Sequence, residues 1–214
     1  MLGQSITRNA LLLALFALVT AALLAGTYLL TRERIVAAER AAEEKALLQI
    51  VPDERHDNSM LDDTLPVGPQ TPGLGLRETK QVYLARQGET IVAAIIPVTA
   101  RDGYSGDINL IVGVNRDGSV AGVRALSHKE TPGLGDKVDL GKSDWVRGFE
   151  GRSLQDPAVT QWAVKKDGGV FDAFTGATIT PRAVVNAVKN TLEYAADNRQ
   201  VLFGTAGEQA EDGN

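Results

Sequence analysis

The chain has 214 residues, 43% of them hydrophobic and 23% charged, which is an ordinary composition for one substantial globular domain with accessory segments. Its 22 basic and 27 acidic residues give a net charge of −5 without any Lys/Arg cluster, which argues against nucleic acid as a partner. The absence of cysteine excludes disulfides, Fe–S clusters and thiol nucleophiles, and two histidines cannot form a three-histidine site. Any redox chemistry therefore requires a bound organic cofactor.

The first predicted element is a membrane-spanning helix over residues 10–30, after an N-terminal flank of residues 1–9. These 21 residues carry no charge, and about twenty apolar residues cross the hydrocarbon core of a bilayer as a helix. A cleaved signal peptide is the alternative interpretation. The apolar run is too long for a signal peptide and no clean small-x-small cleavage site follows it, so we expect an uncleaved anchor.

The charges that flank this helix leave the orientation of the chain open. Arg8 and the amino terminus lie on one side, against Arg32, Arg34 and Arg40 on the other. Taken literally, the positive-inside rule favours a cytoplasmic C-terminal domain.

Residues 31–76 are predicted to form a helical stalk and a linker. Residues 31–50 are rich in Ala, Glu, Arg and Leu, which favour helix. Pro52 should end that helix, and residues 52–76, rich in Pro, Gly and Asp, are interpreted as a loop. The domain proper is expected to span residues 77–204, before a polar, acidic tail (205–214) that we predict to be disordered.

The domain is predicted to contain strands first and a helix last. Residues 181–198 have apolar side chains at helical spacing, and Thr180 followed by Pro181 is typical of an N-cap and a first helical residue. The strands are predicted over residues 80–85, 90–98, 107–114, 119–127 and 161–164, with loops or turns at 101–106, 115–118 and 166–169.

Two loops rich in Gly and Thr stand out in the second half. Ser127–Val138 reads SHKETPGLGDKV, and Asp172–Thr180 reads DAFTGATIT and leads directly into the last helix. Backbone N–H groups at a helix N-terminus, with nearby glycine, suit a phosphate group, and the threonine hydroxyls add donors. Neither loop matches the Walker or dinucleotide-binding pattern. In isolation, the second loop is better explained as a capped helix start.

The sequence TPGLG occurs twice, at Thr71–Gly75 and at Thr131–Gly135. No wider similarity surrounds the two copies, so they do not indicate a domain duplication. Coincidence between loops of similar composition is as good an explanation as a shared role.

Asp172–Thr178 resembles the D-x-x-[S/T]-G-A-T signature at which a flavin transferase attaches FMN through a threonine phosphoester. The resemblance continues through GYSGDI (103–108), SHKETPGLGDKV, KSDWV (142–146), WAVKKDGGVFD (162–172) and TGATITPRAVV. Together, in this order, these segments resemble the G subunit of the Rnf electron-transport complex, a relative of the C subunit of the sodium-translocating NADH:quinone reductase.

This resemblance implies an α+β fold: one N-terminal transmembrane helix, then a small FMN-binding domain with antiparallel strands and a C-terminal helix. It also implies a place in the bacterial inner membrane with the domain on the periplasmic side, against the charge count. The protein would carry electrons in a redox-driven ion-translocating complex that links NADH and ferredoxin, without stand-alone catalysis. Partner subunits would supply the Fe–S clusters and the nicotinamide site. The alternatives are the C subunit of the quinone-reducing relative and a non-redox, membrane-tethered binding domain.

The resemblance assigns the covalent phosphoester to Thr178, and not to Thr175 or Thr180. Thr175, Gly176 and Ala177 would contribute to the same cofactor site. Asp172 would serve recognition by the flavin transferase; a turn or cap role is the alternative.

The loop Ser127–Gly135 is the expected second wall of the flavin pocket. Glu130 and Thr131 are predicted polar contacts, Gly133 and Gly135 would leave room for a flat ring, and Leu134 would pack on it. His128 is either a proton donor or a structural histidine. Trp145 and Trp162 are interpreted as packing residues, and we expect no catalytic residue and no metal.

Overall fold

The computed structural model describes the backbone of residues 2–204, with all side chains in that range except 2–5, 7 and 39. The predicted tail lies outside the described residues. The chain divides into two units, residues 1–43 and 44–214. The helices are α1 (Leu2–Leu48), α2 (Ile179–Asp197) and α3 (Arg199–Phe203), and the strands are β1 (Thr64–Val67), β2 (Lys80–Gln87), β3 (Thr90–Gly103), β4 (Gly106–Asn115) and β5 (Val120–Ser127).

Helix α1 is longer than the predicted membrane helix. It runs without interruption from Leu2 to Leu48, so the predicted flank and stalk belong to the same helix. Among the described residues, α1 is the one helix long and apolar enough to cross a membrane, and none of its apolar window is buried in the protein. Apolar side chains exposed along a whole helix are the pattern of a lipid-facing segment.

The five strands form one antiparallel sheet in the order β1-β2-β3-β4-β5. The pairs Ile96↔Val112 and Val112↔Val123 show the register at its centre. Side chains alternate between the faces: Ile96 and Val98 join the main core with α2, whereas Ile95 lies on the opposite face in a second cluster. Both faces are buried, which explains why β3 reads as an almost continuous apolar run.

The second face is covered by the end of α1 and the segment that follows it. Leu47, Ile50, Val51 and Met60 are buried against this face. A Cβ at Gly113, on β4, would overlap the side chain of Ile50, so the lack of a side chain at this position makes room for Ile50. The compact unit therefore starts at Glu44, whereas the sequence predicted its start at residue 77.

The loop predicted over residues 52–76 is wrong in part, because it contains β1. This strand pairs with β2, with Thr64 opposite Tyr83. Its four residues, TLPV, are too few for a periodic pattern, and Pro66 is tolerated because β1 lies at the sheet edge.

Strands β3 and β4 also extend into the predicted loop at residues 101–106. They leave a tight hairpin in which Gly103 pairs with Gly106. The strand predicted at residues 161–164 is absent from the described structure: Val159–Gln161 is a 3-10 helix, and Val164 makes a single bridge to Phe171. Trp162 packs there against other aromatic rings, and this packing overrides the local strand propensity.

Helix α2 confirms the predicted C-terminal helix but starts earlier. Its N-cap is Thr178, so Thr180 lies inside the first turn and is not the cap, and Pro181 is the third helical residue. The predicted apolar stripe is buried against the sheet and consists of Val184, Val185, Val188 and Leu192.

Candidate functional site

A cleft of about 420 Å³ lies where the β3–β4 hairpin, the loop after β5 and the start of α2 meet. Its volume falls within the range of about 300–1,000 Å³ typical of small-molecule sites. It is lined by Tyr104, Glu130, Thr131, Leu134, Gly135, Gly176, Ala177, Thr178, Ile179, Thr180 and Arg182.

The fold thus brings together the two loops that stand out in the sequence. From the loop after β5, Glu130, Thr131, Leu134 and Gly135 line the cleft, and from the second loop Gly176, Ala177 and Thr178 do so. A Cβ on Gly176 would lie 3.5 Å from the Leu134 side chain, so the two loops are in close contact. The lining does not include Gly133, Thr175 or Asp172.

The three threonines of TGATIT have different surroundings. Thr180 is fully buried, and its hydroxyl donates a hydrogen bond to Glu130 Oε2 at a distance of 2.5 Å. Thr175 is exposed and lies outside the cleft lining. Thr178 is half-buried in the lining, its backbone is helical, and within the described residues its side chain makes no cap hydrogen bond. A ligand in the cleft would therefore meet the Thr178 hydroxyl in an uncommitted state.

Glu130 joins three elements through a carboxylate that is almost fully buried. Oε1 accepts a hydrogen bond from the backbone N–H of Ser105 at the hairpin (2.9 Å), and Oε2 accepts the one from Thr180. Hydrogen bonding of this kind is what makes a buried carboxylate tolerable. Glu130 lines the cleft as predicted, but its oxygens bond to the protein itself.

The structure explains the two glycines of the TPGLG loop by contacts within the protein, whereas the expectation from the sequence was that they leave room for a flat ring. A Cβ on Gly135 would lie 2.7 Å from Glu130 Oε2, so this glycine makes room for the buried carboxylate. Gly133 has φ of 77°, a conformation that favours glycine, and its N–H donates to Asp136. Leu134, between them, remains 42% exposed at the cleft.

Three lining residues had no predicted role: Tyr104, Ile179 and Arg182. Tyr104 lies at the tip of the β3–β4 hairpin. Its side chain is 69% exposed and lines the cleft. With Leu134 and Ile179, which are also exposed, it gives the cleft an apolar border. The available signal was its place in the quoted GYSGDI segment, between two glycines that close the hairpin.

Comparison with known proteins decides the family. A family model described as FMN-binding domain matches residues 103–193, and one described as RnfG N-terminal region matches residues 1–50. The G subunit of the ion-translocating oxidoreductase complex of Pseudomonas aeruginosa (strain UCBPP-PA14) is 51% identical over 201 residues, covering 94% of this chain and 93% of that protein. The corresponding protein of Shewanella loihica is 50% identical over 200 residues, with 94% of each chain covered.

The chain belongs to the family of G subunits of ion-translocating oxidoreductase complexes. It is an oxidoreductase-complex component with an FMN-binding domain, as its resemblance to the Rnf family implied. The crystal structure of Shewanella oneidensis NqrC is also similar, at 21% identity over 70% of this chain and 72% of that one, with a TM-score of 0.49.

In this member of the family, the remaining predicted residues lie outside the cleft. Asp172 is exposed, and its carboxylate pairs with Lys165 at 2.6 Å, while its backbone carbonyl accepts from Trp145 Nε1 at 2.9 Å. His128 Nδ1 accepts the backbone N–H of Glu130, which holds the local turn. Trp145 packs edge-on against Phe149, and Trp162 is buried, so both tryptophans are packing residues as predicted.

The cleft fits FMN by the chemistry of its walls. The exposed apolar side chains suit a flat aromatic ring, and the start of α2 with Arg182 suits a phosphate. Within the described residues there is no group of three His, Asp or Glu side chains placed to hold a metal.

Proposed function

We propose that this protein carries FMN as a covalent phosphoester on Thr178 and relays electrons within its membrane complex. The observation that carries the proposal is the contrast among the three threonines. Thr178 alone combines a place in the cleft lining with a side chain that is not used to cap the described helix. Thr180 is committed to Glu130, and Thr175 lies outside the lining.

The linkage suits an electron carrier. Esterification through the phosphate leaves the isoalloxazine ring unmodified, and a covalent bond removes the dependence on free FMN. When bound, the flavin supplies one- or two-electron chemistry that the protein side chains do not. Tyr104, Leu134 and Ile179 would border the ring and limit its contact with water, and the N-terminal amides of α2 would face the phosphate.

Attachment requires an enzyme, and Asp172 is the proposed recognition residue. Its carboxylate is exposed at the first position of the motif, which leaves it accessible to a flavin transferase. Lys165 is its partner in the folded protein and would have to release it, or be recognised with it.

The electrons would come from and go to other subunits, because a chain without cysteine cannot hold Fe–S clusters. We infer a path between NADH and ferredoxin that drives ion translocation. Helix α1 would anchor the protein in the inner membrane, with the FMN domain on the periplasmic side.

The test is co-expression of the full-length protein with a flavin transferase, followed by intact mass and in-gel flavin fluorescence after denaturation. Wild type should gain one FMN phosphoester, and so should Thr175→Ser, which keeps the hydroxyl residue that the signature requires at this position. Thr178→Ala should lose the denaturation-resistant fluorescence completely. Persistent fluorescence in Thr178→Ala would assign the linkage to another residue.

The same assay separates the two interpretations of Asp172. Asp172→Ala should fold with an unchanged melting temperature but remain unloaded. Lys165→Ala is the matched control, because it breaks the same ion pair and keeps the carboxylate. If Asp172→Ala is loaded with FMN as fully as Lys165→Ala, Asp172 has only a structural role.

A further inference from the structure

Arg182 lines the same cleft as Thr178. It lies in the quoted TGATITPRAVV segment, but no role was predicted for it. It follows Thr178 by four residues, and Thr178 already has helical backbone angles (φ −76°, ψ −24°). Side chains four apart on a helix share one face, about 6 Å apart along the axis. A group attached to Thr178 would thus start one turn from the Arg182 side chain.

A second segment fixes the orientation of this arginine. Asp167 accepts hydrogen bonds from Arg182 Nε (2.5 Å) and Nη2 (2.6 Å), a bidentate pair. The Arg182 hydrogen bond also holds the pKa of the Asp167 carboxyl below its usual value, so the pair stays ionised at neutral pH. Asp167 occupies two of the five guanidinium donors and leaves three N–H bonds for another anion.

We propose that Arg182, oriented by Asp167, binds the phosphodiester formed on Thr178 and so sets the direction in which the flavin enters the cleft. This inference rests on the proposed covalent linkage. A phosphodiester keeps one negative charge and two non-bridging oxygens, which are suitable acceptors for a guanidinium. Arg182 is a positioning residue in this arrangement, and Asp167 acts through it.

The experiment compares flavinylated and unflavinylated full-length protein in detergent, by melting temperature and by the ³¹P resonance of the phosphodiester. For each variant, the melting temperature of the unflavinylated form is subtracted from that of the flavinylated form. The cost of breaking the ion pair is present in both forms and cancels in this difference. Arg182→Gln should lose about 2–4 °C of the increment that flavinylation confers on wild type, and its ³¹P resonance should shift. Arg182→Lys, which keeps the charge without the fork, and Asp167→Asn should show smaller changes in the same direction.

Lys189→Gln is the matched control, since it removes a positive charge from α2 outside the cleft lining. It should keep the wild-type increment and resonance. If Arg182→Gln matches wild type in both readouts, the inference is wrong. Should Arg182→Gln not fold, the same outcome in Arg182→Lys and Asp167→Asn would refute the inference. An unloaded wild-type protein would instead refute the covalent linkage on which it rests.

Discussion

At the scale of single residues, the cleft depends on the carboxylate of Glu130. It is 5% exposed, and the two groups that donate to it belong to the hairpin and to α2. Each hydrogen bond to a buried charge contributes about 1.5–3 kcal/mol. A single side chain therefore holds the three walls of the cleft in position before any ligand binds.

Glu130→Ala should therefore destabilise the unloaded domain. The substitution removes the carboxylate and leaves the Ser105 N–H and the Thr180 hydroxyl without their acceptor, for an expected loss of about 2–4 kcal/mol. Denaturant unfolding measures this loss. Glu89→Ala, an exposed glutamate in the β2–β3 turn, is the control, and equal midpoints for the two variants would contradict the role given to Glu130.

At the scale of secondary-structure elements, the β3–β4 hairpin extends the sheet to the cleft. The bulge between Ala100 and Gly103 and the close pairing of Gly103 with Gly106 leave Tyr104 and Ser105 at the tip. Ser105 anchors the tip to Glu130, and Tyr104 is presented to the cleft. The hairpin thus converts the end of a sheet into one wall of the site.

Tyr104→Ala should leave flavin attachment intact and change the flavin's surroundings. The tyrosine lies far from the attachment motif in sequence, but its exposed ring borders the space that the isoalloxazine would occupy. We expect normal loading with a shifted absorption spectrum and faster quenching of flavin fluorescence by a soluble quencher. Tyr104→Phe should behave like wild type. An unaltered spectrum in Tyr104→Ala would show that this ring does not face the flavin.

The cover on the second face of the sheet gives a prediction at the same scale. Gly113→Ala should destabilise the domain by about 1–3 kcal/mol, because the added methyl would overlap Ile50. Adding Ile50→Ala in the same chain should recover part of that loss. The double variant should therefore lose less free energy of unfolding than the two single variants lose together. Gly148→Ala, at a position with open space, is the control. Strict additivity would contradict the predicted overlap.

At the scale of the whole molecule, an exposed apolar helix precedes a folded domain. Residues 10–30 of α1 have no charged side chain, and a bilayer would bury the apolar surface that they expose. As a membrane span, this helix would have lipid as its solvent and the domain would have water. The side of the membrane on which the domain lies is then a testable property of the chain.

We predict that the domain lies outside the cytoplasm. A C-terminal alkaline phosphatase fusion should be active, whereas a reporter that fluoresces only in the cytoplasm should be dark. The charges near α1 favour the opposite outcome, so the two reporters distinguish the family expectation from the positive-inside rule. Activity of the cytoplasmic reporter would mean that the charges decide the orientation.

The sequence by itself determined the features that depend on neighbouring residues. These are the apolar helix around residues 10–30, the four strands that start near residues 80, 90, 107 and 120, the C-terminal helix, and the DAFTGAT segment that led to the correct family. Each is encoded in a periodicity or a motif within about twenty consecutive residues. The two loops of the cleft were found in the same way.

Only the tertiary structure decided the features that depend on distant partners. Strand β1 exists because β2 pairs with it, and Ile50 is buried because the sheet lies beneath it. Thr180 is committed to Glu130, fifty residues earlier, which leaves Thr178 as the threonine of TGATIT that lines the cleft with an uncommitted hydroxyl. A local pattern does not specify which distant donor an oxygen accepts from, because that choice is made when the packed elements bring the two groups within hydrogen-bonding distance.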